Sequence, residues 1–212
     1  MLDKEGFDLW AGGYDRAVGL SDEDGSYPFA GYRQVLGRIY DAVRRLEGKR
    51  VRDQGCGTGT LAGKLYRDGY AVTAVDFSGE MLRRAAEKMP SARLVQADFS
   101  DGLPEELDGE RFDAIVCTYA IHHLTDEQKL RLLTSLQKQL TPGGAVFIGD
   151  VAFPTRRKLL RCREESGEAW DDEELYLVAE ELLPRLPGAA FEPVSHCAGI
   201  LTLPALEKGG DA

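Results

Sequence analysis

The chain predicts an α/β fold, a doubly wound and mostly parallel sheet with helices on both faces. Three observations carry that expectation. From Arg50 onward, short apolar runs alternate with amphipathic stretches, the pattern of parallel strands joined by helical crossovers. The runs are apolar on both faces, as strands covered from two sides must be. The first of them ends in Asp53-Gln54-Gly55-Cys56-Gly57-Thr58-Gly59, a carboxylate followed by glycines at alternate positions where a strand turns into a helix.

The predicted strands are Arg50–Gln54, Ala71–Asp76, Arg93–Gln96, Phe112–Thr118 and Ala145–Asp150, followed by a closing hairpin of Ala190–Ser195 and Ile200–Leu203. An amphipathic helix over Gly31–Leu46 is expected to pack against the first strand. Thr60–Arg67 follows the glycine loop, and Ser78–Lys88 starts with Ser78 as N-cap. Asp126–Leu140 has the capping-box pair Thr125 and Gln128, an apolar face of Leu130, Leu133, Leu136 and Leu140, and a stop at Pro142-Gly143-Gly144. Thr155–Ser166 and Asp171–Leu186 read as two more helices, with the acid-rich region Arg163–Glu181 as solvated surface.

With 212 residues, 43% of them hydrophobic and 29% charged, the chain suits one domain: a helical cap over 1–46, a cofactor-binding core over 47–150, and C-terminal helices with a hairpin over 151–212. A net charge of −10 argues against nucleic acid as partner. No apolar run nears the roughly 20 residues that cross a bilayer, and the first residues lack a signal peptide's pattern, so a cytoplasmic monomer or homodimer is expected. Four cysteines, 56, 117, 162 and 197, are too far apart to suggest a metal site and are expected to be reduced core residues.

The glycine loop brings backbone N–H groups and a helix N-terminus against a ligand. A dinucleotide fingerprint would place its third glycine one residue later, at Thr60. The shorter form with a preceding acid suits S-adenosylmethionine (AdoMet): the loop Gly55, Cys56, Gly57, Thr58 and Gly59 would meet the methionyl carboxylate, and Asp53 would attract the amino group. Asp76, ending the second strand, would accept from both ribose hydroxyls. After the third strand, Asp98 would accept from the adenine amino group, with Phe99 or Ala97 against the ring. Phe77, Met81 and Thr118 complete the expected cofactor contacts.

These segments resemble the motifs of the class I AdoMet-dependent methyltransferases. Val51 to Gly59 is similar to their first motif, Val75-Asp76-Phe77-Ser78 to the second, Ala97-Asp98-Phe99 to the third, and Phe112 to Leu124 to the fourth. Leu140-Thr141-Pro142-Gly143-Gly144 is similar to the turn before their fifth strand. Trp10-Ala11-Gly12-Gly13-Tyr14-Asp15 and Thr118 to Glu127 most resemble the small bacterial YrrT-type putative methyltransferases. The resemblance implies a Rossmann-like sheet of about seven strands with the last one antiparallel, and transfer of a methyl group to a small-molecule acceptor. Such proteins carry apolar residues where this chain has Arg52 and Gln54. A buried unpaired guanidinium is costly, so Arg52 is expected to pair with an acid or reach the sheet edge.

Methyl transfer needs positioning and exclusion of water, and a base only if the acceptor must lose a proton. Tyr119, His122 and His123, after the fourth strand, are the candidate acceptor-side groups, with Tyr14 reaching in from a lid that also carries Trp10. Each also has a structural reading: an aromatic wall for Tyr119, backbone-bonded imidazoles for the histidines, packing under a cap for the Trp10–Tyr14 pair. Asp150 is a further acceptor candidate. A non-catalytic AdoMet-binding protein and a nicotinamide-dependent oxidoreductase stand as alternatives.

Overall fold

The structure, a computed structural model, describes residues 25–100 and 102–206. The expectation placed on Trp10 and Tyr14 lies outside the described residues. Strands β1 (Arg50–Gln54), β2 (Ala71–Asp76), β3 (Arg93–Gln96), β4 (Phe112–Thr118), β5 (Leu140–Phe153), β7 (Ala190–Pro193) and β8 (Ala198–Pro204) form a sheet in the order β3-β2-β1-β4-β5-β8-β7, and the short β6 (Leu177–Val178) pairs with the end of β5. The first five strands are parallel; β8 runs antiparallel to β5 and to β7. β1 lies between β2 and β4, so the strand order reverses there. The crevice at such a switch point, beyond the strands' carboxyl ends, is where open α/β sheets bind ligands.

Helices α1 (Tyr32–Arg45), α2 (Thr60–Arg67), α3 (Gly79–Lys88), α4 (Asp126–Lys138), α5 (Arg156–Ser166) and α6 (Ala179–Leu182) surround the sheet. Strand alternation sorts the core into two layers. Ala114, Val116 and Phe147 pack with Val35 and Ile39 of α1 and Leu61 of α2, while Ile115, Cys117 and Ile148 face Leu133 and Leu136 of α4. The caps read from sequence are made. Ser78 Oγ accepts from Met81 N at 3.1 Å, and Thr125 and Gln128 close their box with Thr125 N donating to Gln128 Oε1 at 2.9 Å.

Four expectations are corrected. α1 packs over β4, β5 and β8 rather than chiefly on β1. The bare backbone of Gly149 in β5 makes room for it, since a Cβ there would fall 2.3 Å from Val35 Cγ1 and 2.8 Å from Ile39 Cδ1. β5 begins at Leu140, so α4 ends earlier than expected and Pro142-Gly143-Gly144 lies in an irregularity. There the pairing jumps from Phe112–Leu140 to Ala114–Ala145.

Asp171–Leu186 is not one helix. Residues 171–176 form a non-helical strap, bent at Asp172 and Glu173, that leads into β6. Leu175 N donates to His122 O at 2.8 Å, and the fully buried Lys129 reaches from α4 to donate to Leu175 O at 2.6 Å. These bonds occupy the strap's backbone groups with partners that a helix would forgo.

Arg52 neither meets an acid nor reaches an edge. It is fully buried in a central strand, where its guanidinium donates to Gln139 Oε1 at 2.5 Å and to Gln54 Oε1. Gln139 Nε2 in turn donates to Leu107 O at 3.0 Å. Burial pulls the guanidinium down to about 10, so it remains charged at neutral pH. Replacing Gln139 with Leu should therefore destabilise the fold by about 2–4 kcal/mol, because it strands a buried charge. Adding Arg52→Met should recover most of that loss. Urea denaturation of the single and double variants checks this, and equal midpoints for the two would refute it.

Candidate active site

The loop between β1 and α2 is built by backbone bonds. Gly55 N and Cys56 N both donate to Val75 O, at 2.8 and 3.0 Å, and Gly59 N donates to Cys56 O at 2.9 Å. Asp76 pins this loop to the next crossover: its Oδ2 accepts from Gly57 N at 2.8 Å and its Oδ1 from Ser78 N at 2.9 Å. Gly57 has φ +53, and a Cβ on it would meet nothing within 4 Å. It presents bare backbone to open space, as a loop must where a ligand approaches it closely.

That space is a cavity of about 630 Å3. Of the predicted cofactor residues, Gly55, Cys56, Gly57, Thr58, Asp76, Phe77, Met81, Phe99 and Thr118 line it. Gly59 sits behind the loop as the N-cap of α2. Asp53, two residues before the loop, is not among the lining residues; it is 1% exposed, and its Oδ1 has no hydrogen-bond partner. Burial pushes its carboxyl up to about 7, the charge of Asp76 adds to this, and a backbone hydrogen bond at Ala62 acts against it. A cationic donor that reached this oxygen would supply what it lacks. Besides Gly59 and Asp53, two further predicted residues are not brought into the lining. Ala97 packs with Val75, Val95 and Leu107, and Asp98 is exposed, its Oδ1 accepting from Ser100 N at 2.8 Å.

The other end of the cavity is aromatic and acidic. Tyr119 follows β4 with φ +52, an uncommon conformation for a non-glycine residue. It packs against Phe29 and Tyr32, with ring centroids at 5.4 and 4.9 Å. His122 and His123 sit on the short 3-10 turn Ile121–His123. Asp150, at the end of β5's central stretch, organises that turn: its Oδ2 accepts from Ile121 N at 3.0 Å, and its Oδ1 lies 2.6 Å from His122 Nδ1. Burial alone would lower His122, but the charge and hydrogen bond of Asp150, with Glu174 behind them, hold it above its usual range. Burial, reinforced by His122, pushes His123 down to about 4. The paired imidazole and its neighbour are therefore tuned in opposite directions.

The strap closes this end. Asp171, Glu173 and Glu174 line the cavity, and Glu174 Oε1 lies 3.6 Å from His122 Nε2. Burial raises the Glu174 carboxyl. Tyr27 stacks on Trp170 with ring centroids 5.0 Å apart, shares a hydrogen bond with Tyr176 and accepts from Asp171 N at 3.1 Å. His122, His123 and Glu174 also bring one ligand atom each within 4.8 Å of one another. The sequence reading passed over the Tyr27–Tyr32 wall and the strap. The signal for the wall was present, three aromatics within six residues; Glu174 was hidden in a stretch read as solvated surface.

A family model described as a methyltransferase domain matches residues 51–144. An uncharacterized methyltransferase of Geobacillus kaustophilus is 38% identical over 160 residues, covering 76% of this chain and 72% of its own. The chain belongs to the class I AdoMet-dependent methyltransferases. Among solved structures, this methyltransferase is similar to magnesium protoporphyrin IX methyltransferase (ChlM) from Synechocystis PCC 6803 with bound SAH, with TM-score 0.66, 18% identity, and 84% and 85% of the two chains covered. It is also similar to the DhpI-SAM-HEP complex, with TM-score 0.65, 20% identity and 92% of each chain covered. Those likenesses confirm the Rossmann-like sheet of this methyltransferase. No helix among its described residues is long and apolar enough to cross a membrane.

Proposed function

We propose that the 630 Å3 cavity holds AdoMet at its glycine-loop end and a small-molecule acceptor at its aromatic end, and that the protein carries a methyl group between them in line. The buried, unpartnered oxygen of Asp53 just before the loop is the observation that carries this reading, because it calls for a cationic donor where the amino group of AdoMet would lie. The loop N–H groups and the N-terminus of α2 suit the carboxylate of the same amino-acid tail. Asp76 reaches the ribose while holding the loop, and Phe77, Met81 and Phe99 offer apolar surface to the adenine. Bound AdoMet supplies an activated methyl group on a sulfonium. The chain's own contribution is to orient the acceptor between Tyr119 and the strap and to exclude water from the space between. ChlM is named as a methyltransferase of magnesium protoporphyrin IX, which supports a small-molecule acceptor here. The acidic balance of the chain supports the same reading, against a polyanion.

Calorimetric titration with AdoMet, with S-adenosylhomocysteine (AdoHcy) and with NADH tests the proposal. AdoMet and AdoHcy are expected to bind in the micromolar range and NADH not to bind. Binding of NADH with no response to AdoMet would remove the proposal, and binding of AdoMet without turnover on any acceptor would favour a non-catalytic, AdoMet-sensing role.

A further inference from the structure

The acceptor end of the cavity has a consistent chemistry. Around it stand the rings of Tyr27, Phe29, Tyr32 and Tyr119 and the carboxylates of the strap, and no Lys or Arg is among the described residues that line the cavity. The basic side chains near the strap are turned elsewhere: Arg163 pairs with Asp172 and Arg156 with Glu181, and Lys129 is consumed by Leu124 O, Leu175 O and Asp126. Among the described residues an anionic acceptor would find no Lys or Arg here to neutralise it, and the lining imidazole of His122 is already paired with Asp150. A cation would find ring faces, which attract cations, and a carboxylate held in place.

That carboxylate is Glu174. It is about three-quarters withdrawn from solvent, with 23% of its side chain exposed. It stands beside His122, itself fixed by Asp150, and it shares a hydrogen bond with Tyr176. Asp171 and Glu173 are exposed on the same strap and add a field of the same sign at the entrance.

We propose that the methyl acceptor is an amine, bound as its ammonium between Glu174 and the Tyr27–Tyr32 wall, an assignment that rests on the methyltransferase reading above. An ammonium has no lone pair, so it must lose a proton before it can be methylated. Glu174 is the base placed to take that proton, and the bound product's departure returns it to water. The freed nitrogen pair then forms the N–C bond as the methyl C–S bond breaks. The electrons of the broken bond stay on sulfur, which passes from sulfonium to neutral thioether.

Three probes on one skeleton test this: phenethylamine, 2-phenylethanol and phenylacetate, titrated into protein saturated with AdoHcy. The amine is expected to bind at least about tenfold more tightly than the alcohol, and phenylacetate more weakly than both. With AdoMet in place of AdoHcy, AdoHcy release is expected with the amine only. Glu174→Gln should abolish the preference for amine over alcohol and slow release at least about tenfold, while AdoHcy affinity stays unchanged. If that variant does not fold, Asp171→Asn should still narrow the preference. Equal or better binding of the alcohol or phenylacetate, no binding of any probe, no release with bound amine, or an unaltered preference in Glu174→Gln overturns the amine assignment. Loss of amine binding on adding EDTA would reassign His122, His123 and Glu174 to a metal ion and overturn it too. Failure to bind AdoHcy at all would instead remove the methyltransferase reading beneath it.

Discussion

Replacing Asp76 with alanine should weaken AdoMet binding by about 100-fold or more. The side chain carries two charge-assisted hydrogen bonds, from Gly57 N and Ser78 N, each worth about 1.5–3 kcal/mol. It also faces the cavity where the ribose is proposed to lie. Its loss would therefore remove the proposed ligand contact and slacken the loop proposed to hold the amino-acid tail. Asn is not a conservative replacement here, because one of its two polar atoms is a donor and would face a backbone donor. Calorimetry on the folded variant decides the matter. A lower melting temperature with unchanged AdoMet affinity would keep the loop role and refute the ribose role.

The second large effect concerns Asp53 and has two signs. Its carboxyl is raised from 3.8 to about 7, chiefly by burial and next by Asp76. Between those values the native protein keeps a proton that the unfolded chain has released. Stability therefore falls as pH rises through this window and levels off above about 7. Asp53→Asn removes that dependence. Between pH 5 and pH 8 its stability relative to the parent protein should improve by on the order of 2 kcal/mol. For a chain of this size that is about 4–8 °C in melting temperature.

AdoMet binding should move the other way. The variant cannot pair a buried carboxylate with the ligand's amino group, so affinity is expected to fall about 30-fold or more. In the parent protein affinity should weaken toward tenfold per pH unit below about 7, where Asp53 must first lose its proton, and level off above it until the ligand's own amino group deprotonates at about 8. In Asp53→Asn it should be flat throughout that range. Parallel pH profiles for the two proteins would show that Asp53 does not meet the ligand's charge. A residue that destabilises the empty protein and strengthens the loaded one is the expected signature of a binding-site carboxylate.

How much of this was legible without coordinates follows from the range of the interactions involved. β1 to β4 and α2 begin and end where the sequence places them, because alternation, helical period and cap residues are decided within a few positions. The glycine loop was legible for the same reason: acid, glycines and the next strand's aspartate occupy one βα unit and its neighbour. The strap was not. Its acid-rich stretch has helical spacing, but Lys129 and Tyr27, which hold it out of a helix, lie 46 and 144 residues from their partners. Arg52 failed similarly, since its amide partner Gln139 is 87 residues away. Gln54, two residues away in β1, was in view, but nothing local to β1 announces that Gln139 will complete the amide partnership.

By itself, then, the sequence determined the sheet, the cofactor class and the residues of the loop proposed to grip it. These depend on short-range pattern and on chemistry carried by contiguous residues. Tertiary structure alone decided the proposed acceptor end, by bringing the Tyr27–Tyr32 wall, the Asp150–His122 pair and Glu174 together from segments distant in the chain. A pocket's charge and shape are sums over such segments, and those sums exist only once the backbone has closed.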